Sequence, residues 1–91
     1  MNRELTTQQK AAIEQFIDLI VTNWSRLDTE NWRHTFRLLI NGTFLDCEPD
    51  VIAKSGWHVL QEITSSFPPS MGEIVNKAKD IIGSGKARTV Q

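Results

Sequence analysis

Apolar residues recur at helical spacing in four separate stretches of this chain. In the first, Ile13, Phe16, Ile17, Ile20, Val21 and Trp24 fall at i, i+3, i+4, i+7, i+8 and i+11, one stripe of an amphipathic helix. Glu14, Gln15, Asp18 and Thr22 occupy the polar side, and Leu19 lies off the stripe. Thr6 with Gln9 is a capping-box pair, with Thr7 as the alternative start, and the helix runs to about Ser25. In the second stretch Trp32, Phe36, Leu39 and Ile40 repeat at i, i+4, i+7 and i+8. Asp28 or Thr29 caps it, Glu30 suits its first turn, and Asn41-Gly42 ends it, with Gly42 in the left-handed position. Phe44 and Leu45 then tuck inward from the connection.

Pro49 fits the first position of a third helix, and Asp46, Glu48 and Asp50 complement its N-terminal dipole. Its stripe is Ala53, Gly56, Trp57, Leu60 and Ile63, widened by Ile52 and Val59. A glycine on the stripe predicts close approach of another helix, since glycine is otherwise costly in a helix interior. The adjacent prolines of Phe67-Pro68-Pro69 cannot lie inside a helix, so the third helix stops before them. Ser70 with Glu73 is a second capping box, opening a fourth helix striped with Met71, Ile74, Val75, Ala78, Ile81 and Ile82 and stopped by Gly83. Residues 84–91 lack periodicity.

No stretch alternates as a strand does. The chain therefore predicts an all-α, compact bundle of four short helices in one domain over 1–83, with a flexible basic tail over 84–91. Trp24, Trp32, Trp57 and Phe67 are expected in the core, wholly or in part. Leu19, Leu38 and Val51 fall off their stripes and are candidate surface contacts.

Composition narrows the function. Ninety-one residues make one domain, and 40% hydrophobic content can supply its core. The net charge of −1 gives no general attraction to nucleic acid or anionic membrane. A single cysteine, Cys47, cannot staple the fold. The N-terminal stretch has no apolar run of a secretory signal, and nothing approaches the ~18 apolar residues of a membrane span. A cytoplasmic location is the expectation, and Asn41-Gly42-Thr43 is read as a helix end, not a glycosylation site.

Catalytic and metal chemistry find no purchase. His34 and His58 belong to no metal-ligand array and are read as solvated. Cys47 has acidic neighbours that disfavour thiolate and is read as an inert, part-buried thiol. The alternating Asp46, Glu48 and Asp50 lack the length, glycine and closing glutamate of a calcium loop. Gly83-Ser84-Gly85-Lys86 fails as a phosphate loop, because Asp80 and Ala87 stand where glycine and Ser or Thr are needed and no strand precedes it. No enzyme, cofactor, metal or small-molecule substrate is expected.

Two basic groups remain. Arg33, His34, Arg37 and Asn41 share the outer face of the second helix. Lys77, Lys79, Lys86 and Arg88 gather near the C-terminus. Either group could meet phosphates or an acidic protein. The simpler account is a solvated face with pairs such as Glu30–Arg33 and Glu73–Lys77.

The corner carries a resemblance. The chain has Trp32 leading to Leu39, a further amphipathic helix, and then Phe67-Pro68-Pro69-Ser70-Met71-Gly72-Glu73-Ile74. This resembles the N-terminal helical domain of phage-type replicative helicase loaders and inhibitors, at Trp32, Leu39, Phe67, Pro68, Pro69, Ser70, Glu73 and Ile74. The resemblance implies a hexameric replicative helicase as protein partner, and phage or prophage DNA replication as the setting. A longer C-terminal region engages the helicase in that family. The sequence here reaches Gln91 shortly after the fourth helix, a departure from the family pattern that leaves a reduced partner-binding, an inhibitory or a merely descended role open.

The expected function is thus a non-enzymatic protein-binding module, with Lys77, Lys79, Lys86 and Arg88 as contacts and Phe67, Pro68, Pro69, Ser70 and Glu73 as a structural corner. The alternative is a small DNA-binding transcriptional regulator that reads with the helix over 32–40 and its Arg33, His34 and Arg37. Outside that alternative, binding to nucleic acid is expected to be weak at most.

Overall fold

The computed structural model describes residues 4–85 and 87. Its elements are α1 (Thr7–Asn23), a 3-10 turn (Ser25–Leu27), α2 (Glu30–Phe44), α3 (Pro49–Glu62) and α4 (Met71–Ser84). No strand occurs among the described residues. The all-α bundle of four helices is as the four stripes predict.

The starts follow local chemistry. Thr6 Oγ1 accepts from Gln9 N at 3.0 Å while Gln9 Oε1 accepts from Thr6 N at 2.9 Å, closing the capping box of α1. Thr29 caps α2 through Trp32 N, and Ser70 caps α4 through Glu73 N, each at 3.1 Å. Pro49 opens α3.

The ends depart from expectation. Gly42 does not stop α2, which runs to Phe44. Its place outside the helix is taken by a longer-range contact. The Gln9 amide, buried, donates to the carbonyls of Leu45 at 3.0 Å and Cys47 at 2.9 Å, and more weakly to Phe44 at 3.4 Å. One side chain thus closes the start of α1 and the end of α2. α3 stops at Glu62, five residues before Phe67. α4 continues through Gly83 to Ser84, and Gly85 ends it at φ 79°, the left-handed conformation that glycine adopts without strain. Of the expected tail, Ser84 is helical and Ala87 is buried. Lys86 and 88–91 lie outside the described residues.

The main packing relations link α1 to α3, α3 to α4, α4 to α2 and α2 back to α1. α1 and α3 run side by side in the same direction. Gln9, near the start of α1, reaches Cys47 just before α3, and Trp24, just after α1, donates Nε1–H to Ser65 O at 3.0 Å just after α3. Gly56 allows this contact: a Cβ there would lie 2.9 Å from Leu19 Cδ1 and 3.4 Å from Phe16 Cδ2. The close approach predicted from Gly56 is therefore present.

The core is built on Phe16, which stacks on Phe36 at 6.0 Å and meets Phe44 edge-on at 5.2 Å. Trp32 stacks on Phe36 at 4.8 Å from the core margin. Trp24 is buried, as expected. Four positions are corrected. Trp57 and Phe67 are not core residues but 58% and 74% exposed, and Leu39, on the α2 stripe, is 51% exposed. Val51, expected on the surface, is buried. In α3 the buried face is Val51, Ile52, Ser55, Gly56 and Val59. It is rotated from the predicted stripe, and α3 packs against both α1 and α4.

Candidate functional site

Gly56 brings α1 and α3 together, and Trp57, the next residue, is turned about 100° around the helix to the rim of that contact. There it borders a groove of about 310 Å³ lined by Gln15, Asp18, Leu19, Thr22, Ala53 and Trp57. Leu19, one of the off-stripe candidates, is half-buried and forms its floor beside Gly56.

The corner over 63–70 lies at the same end of α1. Ser65 Oγ accepts from Phe67 N at 3.1 Å, a tight local turn. The Trp24 indole holds the Ser65 carbonyl, and Pro69 is buried. With Trp24 and Pro69 occupying the inner positions, Phe67 is turned outward. It lines a second groove, of about 290 Å³, with Asn23, Trp24, Ser25, Arg26, Ser66 and Pro68. The two grooves are lined by neighbouring residues near the end of α1, Thr22 in one and Asn23 in the other.

The basic residues are placed differently from expectation. Arg33 and Arg37 do not form an open outer face of α2; they turn toward α1. Arg33 pairs with Asp18 and Asp28, both at 2.8 Å. Arg37 forks onto Glu14 through Nε and Nη2. Hydrogen bonds to Asp18 and then Asp28 raise the Arg33 guanidinium above its ordinary value, and the bond to Glu14 does the same for Arg37. Only His34 of this trio faces solvent. At the other cluster, Lys77 turns to Glu62 of α3 at 3.7 Å, rather than to Glu73, while Lys79 is exposed. Lys86 and Arg88 lie outside the described residues.

Among the described residues, no three His, Cys, Asp or Glu side chains gather to hold a metal ion. Cys47 is buried, with Sγ 3.8 Å from Thr43 O. No helix among the described residues is long and apolar enough to cross a membrane.

The remaining exposed apolar residue, Leu38, stands on the outward side of α2, 64% exposed. One turn on, Gly42 has nothing within 4 Å of a virtual Cβ. Beside it lies a surface depression of about 450 Å³, lined by Glu4, Leu5, Lys10, Asn41, Gly42 and Leu45. Exposed Trp57 and open Gly42 have no separate sequence signal. Both stripes would have had to be placed against their neighbours in space. Comparison with protein-family models, curated proteins and solved structures finds no match to this chain.

Proposed function

We propose that this chain is a non-enzymatic protein-binding module that engages a hexameric replicative helicase in phage or prophage DNA replication. The observation that carries the binding half is Trp57, exposed over the apolar groove of Leu19 and Ala53 with Phe67 turned outward at the adjoining corner. Aromatic side chains in a concave apolar setting supply most of the energy of protein interfaces. The helicase half rests on the resemblance at Trp32, Leu39, Phe67, Pro68, Pro69, Ser70, Glu73 and Ile74. In this reading the Trp24–Ser65 hydrogen bond and the buried Pro69 hold the corner, and Phe67 is the group presented. Lys77, Lys79, Lys86 and Arg88 steer the approach toward acidic side chains.

The test is calorimetric titration of the full chain with the replicative helicase of the same genome. Association is expected at or below tens of micromolar (about 10–50 µM). Trp57→Ala with Phe67→Ala should weaken it by about tenfold or more. Alanine at the four basic positions should slow association mainly at low salt. No heat at these concentrations would remove the helicase as partner. Unchanged affinity in the aromatic variant would remove the grooves as the contact.

A further inference from the structure

We infer, resting on the Trp57 groove as a protein contact, that its occupant is an arginine side chain of the partner protein, with the guanidinium stacked on the indole and paired with Asp18. The groove runs between α1 and α3. Leu19 on its floor and Ala53 beside it are apolar and suit the aliphatic stem of a long side chain. Trp57 forms the α3 wall with its ring exposed. Among aromatic rings, the indole face attracts a cation best. The α1 wall carries Gln15, Asp18 and Thr22, all exposed and all with side-chain oxygens.

The balance of charge fixes the sign of the occupant. The lining holds one carboxylate and no cationic group. Asp18 Oδ1 accepts from Arg33 Nη1, while Oδ2 accepts from no protein donor among the described residues. Arg33 is also bound to Asp28, so one guanidinium answers two carboxylates and the trio keeps a surplus negative charge. Lys54, one turn before Trp57 on α3, does not offset it, because its ammonium is turned to Asp50 at 3.8 Å. An anionic ligand would meet repulsion here. An uncharged apolar one would cover the Asp18 carboxylate without giving it a donor. Arginine fits better than lysine. Its planar guanidinium stacks on the ring and loses less hydration on entering an apolar groove, and its five N–H donors can reach Asp18, Gln15 and Thr22 together.

Nuclear magnetic resonance of the full chain, followed at the Trp57 indole N–H, tests this with N-acetyl-arginine methylamide. The lysine and citrulline counterparts are the controls. The Trp57→Ala spectrum identifies the resonance by its absence. The arginine compound should shift it saturably, with a dissociation constant of about 10 mM for a single side chain. Citrulline has the shape without the charge, and lysine the charge without the plane. Each should bind about fivefold or more weaker. Asp18→Asn should weaken the arginine compound by about threefold or more and leave citrulline unchanged, with the backbone resonances checking the fold. No saturable shift, equal affinity for all three compounds, or an arginine affinity indifferent to Asp18→Asn overturns the arginine site. Titration with the helicase separates this from the reading beneath it. If the aromatic variant loses the helicase while the arginine compound leaves Trp57 unmoved, the groove stays the contact and the arginine occupant falls. If the arginine compound binds as expected and the helicase gives no heat, the arginine site stands and the helicase falls.

Discussion

At the scale of single residues, Gln9 shows how one amide can serve two elements. Its oxygen closes the capping box of α1, and its nitrogen donates to carbonyls at the end of α2. Gln9→Glu keeps the shape but puts an ionised oxygen against the Phe44, Leu45 and Cys47 carbonyls. The cost at neutral pH should be about 3 kcal/mol, the penalty of a buried group that has lost its partners and gained repulsion. Those carbonyls raise the introduced carboxyl above its value in the unfolded chain. The folded state then binds the proton more tightly. The variant is closest to wild type below about pH 4.3, the ordinary glutamate value, and loses relative stability as pH rises. Urea unfolding of both proteins across pH measures this difference, and a constant offset would argue against the assigned contacts. The tryptophans separate in the same assay. Trp24→Ala removes a buried ring and should cost about 3–5 kcal/mol. Trp57→Ala removes an exposed one and should stay within about 0.5 kcal/mol of wild type.

At the scale of elements, helix starts were legible because a cap is a local hydrogen bond. Thr6 with Gln9, Thr29, Pro49 and Ser70 all act where their spacing places them. Helix ends were less so. Gly42 reads as a stop, yet α2 passes through it, because the chain finds its terminating bonds in Gln9, more than thirty residues away in sequence. The stripes gave the buried face only to within a neighbouring row. Leu39 and Trp57 lie at the edge of their stripes, and whether an edge is covered depends on which helix lies beside it. Two glycines test this distinction. Gly42 faces open space, so Gly42→Ala should stabilise the chain by up to about 1 kcal/mol through helix propensity alone. Gly56 faces Leu19 and Phe16, so Gly56→Leu should cost about 2–3 kcal/mol by overpacking the α1–α3 contact. Thermal denaturation of the two variants should therefore move in opposite directions.

At the scale of the whole molecule, the ring of packing relations decides what the charges can do. The sequence places Arg33 and Arg37 on one side of α2, which periodicity alone assigns to the outer face. In the fold it faces α1, whose Glu14 and Asp18 take up both guanidiniums. Periodicity could not reveal this, because it tells which residues share a face and not which element the face meets. The consequence bears on the DNA-reading alternative. A recognition helix needs its arginines free to reach phosphates or base edges, and here each would first have to leave a carboxylate. Phosphate contacts would also have to overcome a chain of net charge −1. Binding of a labelled duplex, followed by fluorescence anisotropy at about 0.15 M salt, should be absent or weak and should fall steeply as salt rises. Arg33→Ala with Arg37→Ala should leave that weak binding nearly unchanged, while lowering stability only modestly, by about 0.2–1 kcal/mol for each partly exposed pair. Sequence-specific binding that disappears in the double variant would mean that the α1–α2 ion pairs open to admit DNA. The side of α2 that carries Arg33 and Arg37 would then be a reading surface, and the protein-binding proposal would give way to the regulator.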